Sequence, residues 1–346
     1  MKIKIDLFSD TKTRPSKAML NAMVSADVGD EQAGEDPTTR TLEDKVAQLL
    51  GKEAALFVPS GTMCNQIAMA VHCKPGDEII ADKTAHIINF EAAGAAVIAR
   101  AMIKPLDGIN GVYTVDQAKE AIRSDFRHSP TSRMIAIEQT ANLGGGTVWP
   151  LKLLQSIYGL ARENNIIMHM DGARLLNAVV ASGTSAANFS STVDTVWIDL
   201  SKGLGCPVGG VLAGTKEFIR EAWPWKQRLG GSMRQSGILA AAGIYALDHN
   251  IDRLEVDHAN AGILAKGLAQ ISGINISEKT VDTNILLINV EKAKLTATQI
   301  SAKLQQQGIR IGAINKNYMR AVTHLDVDKA GVIEAVDAFA KICESN

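Results

Sequence analysis

Two rhythms of apolar and polar positions alternate along this chain. In residues 41–50 the apolar side chains fall at Leu42, Val46, Leu49 and Leu50, the spacing of one helix face. Ala54-Ala55-Leu56-Phe57-Val58 follows as a short apolar run that reads as a buried strand. Residues 61–73 read as a helix closed by Pro75-Gly76-Asp77, and Glu78-Ile79-Ile80-Ala81 as the next strand. A further strand is expected over 95–99, an amphipathic helix over 115–123, and a strand with a polar tail over 133–138. A helix over 151–164 precedes the run Asn165-Ile166-Ile167-Met168, and Thr195-Val196-Trp197-Ile198-Asp199-Leu200 forms another buried run. Gly209-Gly210-Val211-Leu212-Ala213-Gly214 is a glycine-punctuated strand, a candidate for antiparallel pairing. Strands alternating with helices of this length predict an α/β domain, a mainly parallel sheet covered on both faces.

The pattern changes near residue 245. A long helix is expected over 252–272, then strand 283–290, helix 298–307, strands 309–313 and 319–323, and a closing helix over 329–343. This predicts a compact α+β unit of about a hundred residues. The expected division is a large domain at 1–248, which includes the N-terminal segment, and a small one at 249–346.

At 346 residues, 46% hydrophobic and 21% charged, the chain has the composition of a globular protein with a substantial core. A formal net charge of −1, without blocks of like charge, argues against a nucleic-acid or anionic-membrane surface. Cys64, Cys73, Cys206 and Cys343 lack metal-ligand spacing, so a reducing compartment is expected. Cys206, four residues after Lys202, reads as a small packing residue. Neither a signal-peptide core nor a run of the roughly 20 apolar residues that span a bilayer is evident. These features predict a cytoplasmic protein.

The chemistry concentrates at the ends of two apolar runs, in His169-Met170-Asp171-Gly172-Ala173-Arg174 and Ser201-Lys202-Gly203-Leu204-Gly205. Open α/β sheets keep their ligands at the C-terminal ends of their strands. A lysine and a carboxylate held there suit pyridoxal 5'-phosphate (PLP): Lys202 can carry the cofactor as a Schiff base, and Asp171 can keep the pyridine nitrogen protonated. A buried ion pair would explain either residue alone. Pro59-Ser60-Gly61-Thr62-Met63-Cys64-Asn65 lies between a strand and a helix, where free N–H groups and the helix dipole favour an anion. The same residues also suit a simple N-cap turn. His86, just past a strand, can stack on an aromatic cofactor and exchange protons near neutral pH, or serve structure alone. Arg320, in an otherwise apolar strand, needs either a substrate carboxylate or an internal salt bridge.

Taken together, these segments resemble the low-specificity L-threonine aldolases of the β-eliminating lyase group, over nearly the whole chain. The marks are Ser9-Asp10-Thr11 with Thr13-Arg14-Pro15, Gly34-Glu35-Asp36-Pro37-Thr38, Gly51-Lys52-Glu53-Ala54-Ala55, Ser60-Gly61-Thr62 and Ala85-His86. They continue with the Asp171 and Lys202 segments, Met233-Arg234-Gln235-Ser236-Gly237 and residues 320–326. The resemblance implies the aspartate-aminotransferase-like PLP fold type I: a large domain with a mainly parallel seven-stranded sheet and a small C-terminal α+β domain. It implies that Lys202 binds PLP covalently, Asp171 the pyridine nitrogen, and Ser60, Gly61 and Thr62 the phosphate. His86 would stack on the ring and assist proton transfer. Ser9, Arg174 and Arg320 would bind the substrate carboxylate, with Arg174 also near the cofactor phenol oxygen. Arg234 would lie close to the active site across a subunit contact, in a homotetramer built as a dimer of dimers. The implied reaction cleaves threonine, allo-threonine or a related β-hydroxy-α-amino acid to glycine and an aldehyde. The alternative is another fold type I PLP enzyme, such as a β-eliminating lyase acting on a small amino acid.

Two positions depart from this pattern. Ala33 stands where many relatives carry Tyr, and Ala141, in Glu138-Gln139-Thr140-Ala141-Asn142, where many carry His. The expectation is a roomier pocket on the β-substituent side, with the hydroxyl proton passed to His86 or a water.

Overall fold

A twisted seven-stranded sheet places the chemistry. The computed structural model describes residues 2–276 and 281–344. After a two-residue strand β1 (Ile5–Asp6), the chain lays down β2 (Ala54–Val58), β3 (Glu78–Asp82), β4 (Met102–Leu106), β5 (Ser132–Glu138), β6 (Ile167–Gly172), β7 (Thr195–Asp199) and β8 (Gly210–Gly214). Their spatial order is β2-β8-β7-β6-β5-β3-β4. Pairing is parallel from β4 through β7, whereas β8 runs antiparallel to both neighbours. The expected antiparallel strand is therefore β8. Buried on both faces, the central strands need no polar alternation, which is why they read as continuous apolar runs.

Register brings the functional ends together. Glu138 on β5 pairs with Asp171 on β6, and Asp171 with Trp197 on β7. Residues in register share a sheet face, so two carboxylates and an indole stand side by side at the C-terminal edge. The helix Pro37–Leu50 begins at Asp36, whose side chain accepts from the Thr39 N–H, and ends at Gly51 in the left-handed region.

A second, smaller core surrounds Leu264, Ile288, Leu304 and Phe339. It packs on a sheet of β9 (Asn275–Ile276), β10 (Ile285–Asn289), β12 (Gly312–Ala313) and β13 (Tyr318–Val322), ordered β12-β13-β10-β9, with β11 (Ile309–Arg310) beside it. The N-terminal segment crosses to this layer: β1 pairs in parallel with β11, and Ile5 and Leu7 enter its core.

Three expectations change. Residues 95–99 are not a strand: Gly94–Val97 is a short helix and the strand follows at β4. Alanines favour helix, while β4, at the sheet edge, carries Lys104 and Pro105, residues that edge strands tolerate and that hide the strand signal. The helix expected over 252–272 covers only Leu254–Leu268. The strand expected over 309–313 is two short strands meeting at Ile311, one paired with β1 and the other with β13.

Ile198, 1% exposed on β7, anchors the strand that leads to Lys202. Ile198→Ala is expected to destabilise the protein by ~2–5 kcal/mol, the cost of a buried cavity. Urea denaturation checks this, and a midpoint unchanged at constant slope contradicts it.

Candidate active site

The lysine loop is held from two sides. Asp199 ends β7 and turns its carboxylate back: Oδ1 accepts from the Ser201 N–H and hydroxyl, and Oδ2 from Lys202 Nζ at 2.7 Å. Thr13, from the N-terminal arm, donates its hydroxyl to the Lys202 carbonyl at 2.9 Å. Lys202 Nζ also lies 5.6 Å from the centre of the Trp197 ring, within reach of cation–π attraction.

Asp171 lines the same cavity, is buried, and has one donor on each oxygen. Oδ1 accepts from the Ala173 N–H, and Oδ2 from Asn65 Nδ2 at 2.8 Å. The same Asn65 nitrogen donates to Glu91 Oε1 at 2.6 Å, and that oxygen also meets His86 Nδ1 at 2.8 Å. Gln66 donates to the other Glu91 oxygen. Burial alone would make His86 less basic, but the hydrogen bond to Glu91 and the charges of Asp171, Glu91 and Glu138 outweigh it and raise its pKa. Glu138 moves the same way: burial and the neighbouring Asp171 charge lift it to about 7, against the pull of the Asn142 and His86 N–H groups that its oxygens accept. A histidine made more basic and a glutamic acid lifted to about 7 therefore sit side by side, two groups suited to proton exchange.

The turn at Ser60 opens the helix Gly61–His72, with the Ser60 hydroxyl capping the Met63 N–H. A side chain at Gly61 would meet the Trp197 ring at 2.1 Å, so only glycine lets this turn rest on the indole. Two arginines complete the lining. Arg174 is buried and bidentate to Asp10, with Nε and Nη2 each at 2.8 Å, which leaves Nη1 for other partners. Burial would raise Asp10, but Arg174, Lys202 and Asn284 hold its carboxyl well below the usual range. Arg320 donates to Asn142 Oδ1 at 2.7 Å, and among the described residues it forms no salt bridge. Burial and the nearby Arg174 charge lower its pKa. It is a half-buried cation that faces the cavity without a carboxylate partner among the described residues.

Ser9, Ser60, Gly61, Thr62, His86, Asp171, Arg174, Lys202 and Arg320 all line one cavity of about 340 Å³. Arg234 does not: its side chain is 63% exposed and pairs with Asp30, away from this lining. Cys206 is buried and outside the lining. Ala33 is exposed on a short 3₁₀ turn. Ala141 is buried and also outside the lining; its methyl packs where side chains at Gly111 and Gly144 would stand, at 2.7 and 3.0 Å. The room expected from these two alanines is therefore not added to the cavity within one chain.

The sequence reading missed Asp10, Asn65, Glu91 and Asp199. Asp199 had a signal, a charged residue closing an apolar run. Asn65 had none, because a polar residue on the buried face of a helix has no local pattern. His86, Glu91 and Asp171 bring metal-ligand atoms within 4.8 Å of one another. The Asn65 and Gln66 amides already occupy their carboxylates, so the set is better matched to organic recognition than to a cation.

The chain has counterparts among known proteins. The family model described as beta-eliminating lyase matches residues 6–293. The low specificity L-threonine aldolase of Escherichia coli (strain K12) is 42% identical over 331 residues, which covers 95% of this chain and 96% of the relative. The low-specificity L-threonine aldolase 1 of Arabidopsis thaliana is 38% identical over 340 residues, with 97% and 95% covered. Among solved structures, Leishmania major threonine aldolase superposes with a TM-score of 0.83 at 20% identity, over 98% of this chain and 99% of that one.

Because folding raises the Glu138 pKa from 4.5 to about 7, the folded state binds this proton more tightly than the unfolded chain. Its contribution to stability is full below about 4.5 and is lost as pH rises through about 7. Glu43, buried and also raised to about 7, adds a slope of the same sign. Glu138→Gln is expected to flatten the fall in stability across this window and leave the Glu43 part. Equal pH slopes for the variant and the wild type in chemical denaturation would count against it.

Proposed function

The chain belongs to the β-eliminating lyase family, and from that premise we propose that it is a PLP-dependent aldolase. It cleaves L-threonine, L-allo-threonine or a related β-hydroxy-α-amino acid to glycine and an aldehyde. The observation that carries this reading is the meeting of Lys202, Asp171 and the Ser60–Thr62 turn in the lining of one cavity. The residues fit the cofactor. Lys202 offers an amine, Asp171 a carboxylate for the pyridine nitrogen, and the glycine cradle over Trp197 a close backbone approach for phosphate.

Bound there, PLP supplies an electron sink for the bond that breaks at the substrate's α-carbon. The protein chooses which bond breaks. Arg320, with Ser9 and the free Nη1 of Arg174, anchors the substrate carboxylate. A fixed carboxylate sets the rotation about the α-carbon and turns the Cα–Cβ bond toward the overlap that cleavage needs. Asp171 would hold the ring nitrogen of the bound cofactor in its protonated form. His86, with Nδ1 committed to Glu91, would contact the cofactor from the cavity wall and present Nε2 for proton exchange. Glu138, lifted to about 7 and accepting from the His86 N–H, lies beside it to share that proton traffic.

We also propose a division of labour between residues 1–248, which hold the cofactor, and 249–346, which bring Arg320 to the substrate. A second copy of the chain brings the exposed Arg234 to a neighbouring site, in a homotetramer arranged as a dimer of dimers. No described helix is long and apolar enough to cross a membrane, and the four cysteines are unpaired. We propose a cytoplasmic location, which the four free thiols favour.

The purified protein with PLP is expected to show a visible absorption band and to release acetaldehyde and glycine from L-threonine or L-allo-threonine. Lys202→Ala is expected to lose the band and to turn over several orders of magnitude more slowly. Pyruvate and ammonia from serine, without aldehyde from any β-hydroxy amino acid, would move the assignment to elimination. A protein that never colours with PLP would end it.

A further inference from the structure

Behind Asp171 the structure holds a buried hydrogen-bond chain that the reaction does not require and the sequence does not announce. Asn65 is its node, and its orientation is determined by its neighbours. The Trp197 Nε1–H can only donate, and it lies 2.8 Å from Asn65 Oδ1. The other end of the amide faces two carboxylates, Asp171 at 2.8 Å and Glu91 at 2.6 Å, which only an NH₂ group satisfies. All four hydrogen-bonding positions of the amide are then accounted for once His169 Nε2, 3.1 Å from Oδ1, donates as well.

The direction propagates outward. With its proton on Nε2, neutral His169 presents Nδ1 as an acceptor, 2.9 Å from the Thr195 hydroxyl. Thr195 has a single proton and gives it to His169. Its oxygen is then free to accept from His72 Nε2 at 3.0 Å. Burial lowers the pKa of His169 to about 3 and that of His72 to about 4, so both rings are neutral and single tautomers suffice. His72 is held flat against Phe218, with ring centres 4.8 Å apart and planes 14° from parallel. Every link from His72 to Asp171 donates in the same direction. Bonds in such a chain polarise one another in a low-dielectric interior, and the positive end of each dipole points toward the carboxylates.

We propose that this one-way chain, His72 to Thr195 to His169 to Asn65, holds the Asp171 carboxylate aimed at the pyridine nitrogen, with Asn65 as the positioning residue that sets its direction. The role toward the nitrogen rests on the PLP reading above; the chain's direction does not.

The test has two readouts. Nitrogen-15 NMR of the histidine-labelled protein without cofactor is expected to show His169 and His72 as neutral Nε2–H tautomers. An Nδ1–H tautomer at either ring overturns the proposed direction. PLP dissociation constants are then measured for Asn65→Asp, Thr195→Val and Thr195→Ser. Asn65→Asp, which replaces two charge-assisted donations with a third carboxylate, is expected to weaken binding at least about tenfold. Thr195→Val, which keeps the shape and breaks the chain two links from the site, is expected to weaken it about threefold, and Thr195→Ser to restore it. Should Asn65→Asp fail to fold, the valine–serine pair decides. Binding by Thr195→Val indistinguishable from wild type overturns the role. A wild-type protein that takes up no PLP overturns the cofactor reading and, with it, that role, and this failure is distinguishable because it needs no variant.

Discussion

Burying a carboxylate without donors or a counter-charge costs several kcal/mol, and this site buries Asp10, Glu91, Asp171 and Asp199 around one cavity. The rest of the arrangement follows from satisfying them. Asp10 takes a bidentate arginine and Asn284, Asp199 takes the lysine and its own turn, and Glu91 and Asp171 share one amide. The compensation is local and nearly complete, so Lys202 and Arg174 are aimed by partners rather than by packing alone. Arg320 is the exception, a cation whose matching anion is expected from outside the chain.

How much of this was legible follows from the range of each interaction. The central strands were readable because burial on both faces makes them uniformly apolar, and Asp171 and Lys202 stood out as polar residues ending such runs. The edge strand Met102–Leu106 was misplaced because Lys104 and Pro105 suit an edge and suppress the apolar signal. Asn65 and Glu91 were silent because their partners are 106 and 5 positions away, on Asp171 and His86, and nothing in a linear pattern marks such a meeting. Arg174 was found, but its pairing with Asp10, 164 positions away, was not.

The N-terminal arm ties these parts together. Strand Ile5–Asp6 joins the small sheet through Ile309–Arg310, Asp10 binds Arg174 while also receiving Asn284, and Thr13 clamps the Lys202 loop. The stretch from Ile5 to Thr13 thus enters the smaller core and grips both the buried arginine and the backbone of the lysine loop. It couples the small sheet to Arg174 through a charge-assisted pair and to the Lys202 loop through one hydroxyl.

The packing of Ala141 carries a consequence for the turn around it. Gly144 would collide with Asn110 if it gained a side chain, Gly111 sits at φ +77°, and a Cβ at Gly111 or Gly144 would stand 2.7 or 3.0 Å from the Ala141 methyl. The three small residues therefore close this corner together, as a keystone and its two neighbours do: a side chain added at either glycine must displace the Ala141 methyl or the backbone that rests on it.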